Sequence, residues 1–163
     1  MGTEIERKFL PRDNSWRNFV TESIVMKQRY LPFGENASAS GRVRIAGSRA
    51  FLTLKSAVKG FSRSEFEYEI PVSDASEILR TICSGAAIEK IRHLVPFRGF
   101  LWEVDEFQGD NAGLVVAEIE LESEQTTFPL PPWIGVEVTG DPRYFNSRLA
   151  EHPFSSWKIS PDQ

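Results

Sequence analysis

Apolar and polar side chains alternate along most of this chain. Val43 and Ile45 interleave with Arg42 and Arg44. Leu52 and Leu54 interleave with Phe51, Thr53 and Lys55, and Phe66, Tyr68 and Ile70 with Arg63, Glu65, Glu67 and Glu69. A two-residue period marks a strand whose faces differ. It predicts strands near residues 3–9, 24–31, 41–46, 50–56, 63–71, 88–95, 100–107, 114–122 and 134–139. Turn-forming residues separate these runs at Pro32-Phe33-Gly34-Glu35-Asn36, Ala46-Gly47-Ser48, Lys59-Gly60, Arg98-Gly99 and Gln108-Gly109-Asp110-Asn111. Antiparallel hairpins are the expected connections.

Helical periodicity is rare. One helix is predicted from Asp74 to about Cys83, capped by Ser73 or Asp74, with an apolar stripe of Ile78, Leu79 and Ile82. A second is predicted to begin near Asp141-Pro142 and to carry Tyr144, Phe145 and Leu149, and a short one falls within Ser15–Thr21. Pro129, Pro131 and Pro132 make the stretch after Thr127 an extended link.

The polar faces are charged in same-sign blocks. Arg42 and Arg44 share a face, as do Lys90 and Arg92, Glu103 and Asp105, and Glu118, Glu120 and Glu122; near the start, Glu4, Glu6 and Lys8 share another. Two arrangements suit this pattern: an ordinary sheet with its charged face in water, or a closed sheet with its charges turned inward and its apolar exterior covered by helices. Solvated faces tend to intersperse signs. Facing acidic and basic clusters would instead supply oxygen ligands for a hard cation and donors for phosphoryl oxygens.

Composition narrows the classes. The 163 residues are 40% hydrophobic, which suits a single domain spanning 1–163 with its own core. A formal net charge of −4 gives no overall basic footprint, so no nucleic-acid polymer is expected as a partner. Cys83 is the only cysteine, which excludes a disulfide framework or Cys-rich zinc site and leaves packing as its expected role. Met1-Gly2-Thr3-Glu4 shows no basic region leading into an apolar stretch, and no run approaches the ~20 apolar residues of a membrane span. The expectation is a cytoplasmic protein without a membrane partner.

With Glu4-Ile5-Glu6-Arg7-Lys8 near the N-terminus, the chain resembles the CYTH superfamily of triphosphate tunnel metalloenzymes. The resemblance continues through Gln28-Arg29-Tyr30-Leu31, Arg42-Val43-Arg44, Thr53-Leu54-Lys55, Arg63-Ser64-Glu65-Phe66-Glu67, Glu89-Lys90-Ile91-Arg92, Trp102-Glu103-Val104-Asp105, Ala117-Glu118-Ile119-Glu120-Leu121 and Val138-Thr139-Gly140-Asp141-Pro142-Arg143-Tyr144. It implies a β-rich α+β fold: a closed eight-stranded antiparallel β-barrel with a charged interior and a few covering helices. The chain departs from similar compact members at Arg29, where they often have Gly, and at Glu69, which extends the acidic row.

Carried over residue by residue, the resemblance makes Glu4, Glu6, Asp105, Glu118 and Glu120 an acidic metal cluster, with Glu65 and Glu67 as further acidic positions. Mg²⁺ or Mn²⁺, two ions in the active complex, suits an all-oxygen set, whereas the lining has too few thiolates and histidines for zinc. His93 and His152 are read as structural or exposed. Arg42, Arg44, Arg63, Lys55, Lys90 and Arg92 would hold the phosphates, and Tyr30 would line one end. Lys8 is the catalytic candidate, able to accept a proton from water if neighbouring cations lower its pKa, or else to bind phosphate.

The implied activity is divalent-metal-dependent hydrolysis of a small-molecule triphosphate, with inorganic tripolyphosphate first. An adenylyl cyclase or a nucleotide or thiamine triphosphatase of the same superfamily is one alternative, and a non-catalytic polyphosphate-binding module is another. No constellation for adenine or for a ribose hydroxyl is identifiable in the sequence.

Overall fold

The computed structural model describes residues 2–34, 38–57 and 62–157, with the backbone alone for residues 2–4. The expected turns at Lys59-Gly60 and Glu35-Asn36 lie outside the described residues. The alternating runs become nine strands: β1 (Gly2–Pro11), β2 (Glu22–Tyr30), β3 (Ser40–Ala46), β4 (Arg49–Lys55), β5 (Ser62–Ile70), β6 (Ser84–Phe97), β7 (Phe100–Phe107), β8 (Val115–Glu120) and β9 (Ile134–Glu137).

Their order is β5-β4-β3-β2-β6-β7-β8-β1-β9, and β1 also pairs with β5. That pairing sets Gly2 opposite Glu65 and Glu4 opposite Arg63, and it closes eight antiparallel strands into a barrel. One edge of β1 is shared: β5 takes its first half, and β9 takes its second through Phe9 and Glu137. Closure satisfies the edge hydrogen bonds that an open sheet would expose. The β6–β7 hairpin turns on Arg98 and Gly99, with φ of 45° and 83°, the double left-handed turn whose twist matches the flanking strands.

Apolar side chains pack on the outside of much of this barrel. Helix α1 (Val72–Thr81) seats Ala75 and Leu79 against Val43 and Ala50. On the opposite side, Phe9, Trp102, Ile119 and Trp133 form a core under the segment after β8. Phe9 and Trp102 meet edge to face at 5.5 Å, and Trp102 and Trp133 do so at 5.7 Å, a favoured geometry for rings with opposed face and edge charge.

A third cluster joins Ile88, Phe107, Val116, Tyr144 and Leu149, the last from α2 (Asn146–Glu151). Phe107 is opposite Lys90 and Val116 opposite Asp105, so these apolar side chains share the inward face and fill one end of the barrel beneath α2.

The helices differ in detail from expectation. Helix α1 starts at Val72 after Pro71, and neither Ser73 nor Asp74 caps it. Pro71 already supplies the extended backbone at the cap, leaving Asp74 in the first turn, where a carboxylate suits the positive helix end. Ile82 follows the last turn and is 56% exposed, so Ala75 replaces it in the buried stripe. The Asp141-Pro142 signal opens a short 3-10 turn, Pro142–Tyr144, before α2 begins. Ser15–Phe19 is also 3-10 and buries Trp16. No helix among the described residues is long and apolar enough to cross a membrane.

Candidate active site

The barrel encloses a cavity of about 350 Å³ to which all eight strands of the ring contribute. Its lining includes Glu6 and Lys8 from β1, Tyr30 from β2, Arg42 and Arg44 from β3, and Thr53 and Lys55 from β4. Arg63, Glu65 and Glu67 come from β5, Lys90 and Arg92 from β6, Glu103 from β7, and Glu118 and Glu120 from β8. Thr139, Gly140, Phe145, Asn146 and Ser147 close over it from the C-terminal segment. Register explains the convergence: Arg42 faces Thr53, which faces Glu67, while Lys55 faces Glu65 and Lys8 faces Glu118. Directly opposed residues of an antiparallel pair share a face.

The deepest charges are tightly paired. Lys90 Nζ donates to Asp105 at 2.7 Å, and Arg92 donates to both Asp105 oxygens at 2.8 and 2.9 Å and to Glu103 at 3.0 Å. Burial works against the charge on Asp105, but Arg92 and Lys90 outweigh it and hold its carboxyl well below the usual range. Burial pulls Lys90 the other way, down to about 7, with Arg92 and Arg44 adding repulsion that Asp105 only partly offsets. Burial raises Glu103 above the ordinary carboxylate value, against the pull of Arg92.

Lys8 holds its ammonium 3.7 Å from both Glu6 and Glu118. Burial disfavours that charge, but Glu118 and Glu6 more than compensate, and its pKa stands above the ordinary lysine value. In the metal-free site the lowering on which a base role for Lys8 depends is absent: Arg63 pulls in that direction and is outweighed.

On the β3 side Arg42 and Arg44 have no such carboxylate partner among the described residues. Arg44 donates through Nε to Gln28 Oε1 at 2.7 Å. Burial, then Arg42 and Arg92, lower its pKa to about 9. Arg42 Nε is buried without a hydrogen-bond partner among the described residues. Guanidinium groups held in this way present donors to an anion.

Of the acidic residues singled out in the sequence, Glu6, Glu65, Glu67, Glu118 and Glu120 open into the cavity. Glu4 belongs to β1, opposite Arg63, and its side chain lies outside the described residues. Asp105 is 0% exposed and lies behind Lys90 and Arg92 instead of on the lining. Among the described residues no group of three carboxylates, histidines or cysteines converges as a ready-made ligand set. The donors are nonetheless all oxygen, and the Lys8 ammonium between Glu6 and Glu118 marks a place that accommodates a cation.

Several contributors have no role assigned from the sequence, Glu103, Gln28 and Asn146 among them. Glu103 shares its strand phase with Asp105 and was detectable from that alone. Gln28 is wholly buried beside Arg44, and Asn146 reaches in from α2 to accept from Lys90 Nζ at 2.8 Å. Other flagged residues lie elsewhere. Arg29 points outward and donates to the carbonyls of Leu79 and Gly85, tying down the end of α1. Glu69 pairs with Arg49 at the surface. His93 joins Ser23 and Glu106 outside the cavity.

A closed antiparallel barrel with opposed acidic and basic inner walls defines a class, and the CYTH domain model matches residues 2–145. The chain belongs to the CYTH domain family. It is 47% identical over 158 residues to a protein of Acetivibrio thermocellus named inorganic triphosphatase, covering 97% of this chain and 99% of that one. A Nitrosomonas europaea protein of the same name is 38% identical over 151 residues, covering 91% of this chain and 97% of that one. A crystal structure described as an inorganic triphosphatase superposes with a TM-score of 0.63 at 36% identity, covering 92% of this chain and 95% of that one.

Proposed function

We propose that this protein is a divalent-metal-dependent phosphohydrolase that cleaves a terminal phosphoanhydride of a triphosphate, with inorganic tripolyphosphate as its preferred substrate. The carrying observation is the division of one cavity: Arg42 and Arg44 stand on one wall without carboxylate partners among the described residues, and Glu6, Glu118 and Glu120 stand on another. The full-length similarity to two proteins named inorganic triphosphatase supports the same reading.

In this reading Arg42, Arg44, Lys55, Arg63, Lys90 and Arg92 bind the phosphate chain, and Tyr30 lines its path. Glu4, Glu6, Glu118 and Glu120 hold Mg²⁺ or Mn²⁺, and Glu65 and Glu67 provide for a second ion. Such an ion, when bound, screens phosphoryl charge and activates water. Lys8 lies between two of those carboxylates and lines the same cavity, so its assigned role is a contact to phosphate. Asp105 accepts from Lys90 and Arg92 through both oxygens, so its assigned role is to position those cations. A cytoplasmic setting goes with this reading and keeps the buried Cys83 reduced.

Phosphate release from tripolyphosphate, with Mg²⁺, with Mn²⁺ and with a chelator, tests the proposal. Turnover that requires the metal and disappears with the chelator is expected. Tight binding of tripolyphosphate without turnover under any metal would leave a binding module in place of an enzyme.

A further inference from the structure

We propose that the side-chain amides of Gln28 and Asn146 are positioning residues that orient Arg44 and Lys90 in the cavity without neutralising them, and so set how tightly the site binds a triphosphate. The inference rests on the functional reading above and adds two residues to it.

Gln28 is 0% exposed, so its amide must find partners within the protein. Its Oε1 accepts from Arg44 Nε at 2.7 Å, and its Nε2 donates to Tyr30 Oη at 2.9 Å and faces Asn146 Oδ1 at 3.5 Å. A guanidinium has no acceptor, so the oxygen of the amide must be the atom turned to Arg44. Asn146, the first residue of α2, accepts from Lys90 Nζ at 2.8 Å through its own Oδ1. A chain of hydrogen bonds thus runs from Arg44 through Gln28 and Asn146 to Lys90, linking β3, β2, α2 and β6.

Neither of the two amides carries charge. Arg92 shows the contrasting arrangement, since its fork is spread over Asp105 and Glu103. A glutamate at position 28 would have nearly the size of glutamine and would satisfy Arg44 at least as well, yet it would cancel the positive charge that a phosphate must find. An amide fixes direction and leaves the charge in place. The same holds for Asn146, because Lys90 already shares Asp105 with Arg92.

Gln28→Glu and Asn146→Asp test the idea: each nearly keeps the shape and adds a negative charge, and where Gln28→Glu also exchanges the Nε2 donor for an acceptor, the Tyr30 hydroxyl can donate in its turn. Three readouts are taken: KM and kcat for tripolyphosphate, the melting temperature of the free protein, and its rise on adding tripolyphosphate with and without Mg²⁺. We expect KM to increase about tenfold, the effect of one lost charge-assisted contact, with a smaller ligand-induced rise, kcat within about threefold and the free protein melting no lower than wild type. A purely structural amide predicts a lower melting temperature instead. Unchanged affinity in either folded variant, or affinity lost only together with stability, overturns the inference. Should Gln28→Glu fail to fold, Asn146→Asp decides by the same readouts. Wild-type protein that neither hydrolyses tripolyphosphate nor is stabilised by it overturns the functional reading itself.

Discussion

The ammonium of Lys90 lies 2.7 Å from a carboxylate oxygen of Asp105, and the two side chains are 1% and 0% exposed. Arg92 occupies both oxygens of the same carboxylate. One buried anion therefore holds two buried cations, and removing it leaves Lys90 with only the neutral Asn146 oxygen and Arg92 with Glu103 and the more distant Glu118. Asp105→Ala is expected to destabilise the metal-free protein by about 3–5 kcal/mol. Urea unfolding in the presence of a chelator measures this. Unchanged metal-free stability would return Asp105 to the role of a plain metal ligand.

The two walls should fail differently. Glu118→Gln or Glu120→Gln should raise the Mg²⁺ or Mn²⁺ concentration needed for half-maximal activity about tenfold, because an amide is a poorer ligand for a hard cation. Arg44→Ala should mainly raise KM for the triphosphate, leaving the metal requirement near wild type. Metal titrations at saturating substrate, beside substrate titrations at saturating metal, separate the two. Identical behaviour of all three variants would contradict the division of roles.

Outside the cavity, Glu137 of β9 accepts two hydrogen bonds from Arg7 of β1, at 2.7 and 2.8 Å. The Arg7 hydrogen bond draws its pKa below the ordinary 4.5, opposed by burial and helped by Thr139. A group whose folded pKa is depressed adds stability above its unfolded pKa and loses it as pH falls through the folded value. The contribution of Glu137 should thus be complete above about pH 4.5 and fade below it. Melting temperatures from about pH 3 to 7 should show a shallower acid decline in Glu137→Gln than in wild type. Parallel curves would contradict this account of the β1–β9 seam.

All nine strands were legible because a strand with one apolar and one charged face repeats every two residues whichever way the sheet closes. Closure itself was not legible in the alternation, because the β1–β5 pairing joins segments distant in sequence; the same-sign charge blocks and the family resemblance pointed to it instead. Period likewise gives the face of a residue and not its depth. Asp105 and Glu103 share a phase, yet Glu103 lines the cavity and Asp105 is sealed behind two cations. Asn146 carried no periodic signal, since a helix start placed against the barrel by tertiary packing brings it to Lys90. Ile82 misled because a helical stripe extrapolates past the residue at which the helix ends.

The ratio of kcat/KM for tripolyphosphate to that for ATP, measured with one metal at one pH, is the most direct test of a cavity built for a bare triphosphate. The described lining is dominated by charged groups, with Tyr30 and Phe145 its only aromatic side chains. A bare triphosphate can present both ends to the cations, whereas a nucleotide keeps one end attached to a bulky group that gains little here. Tripolyphosphate should therefore be turned over with the higher kcat/KM, and pyrophosphate, with one phosphate fewer to meet the cations, poorly. Equal values, or a preference for ATP, would contradict the account and point to a base-binding surface in a nucleotide-specific enzyme.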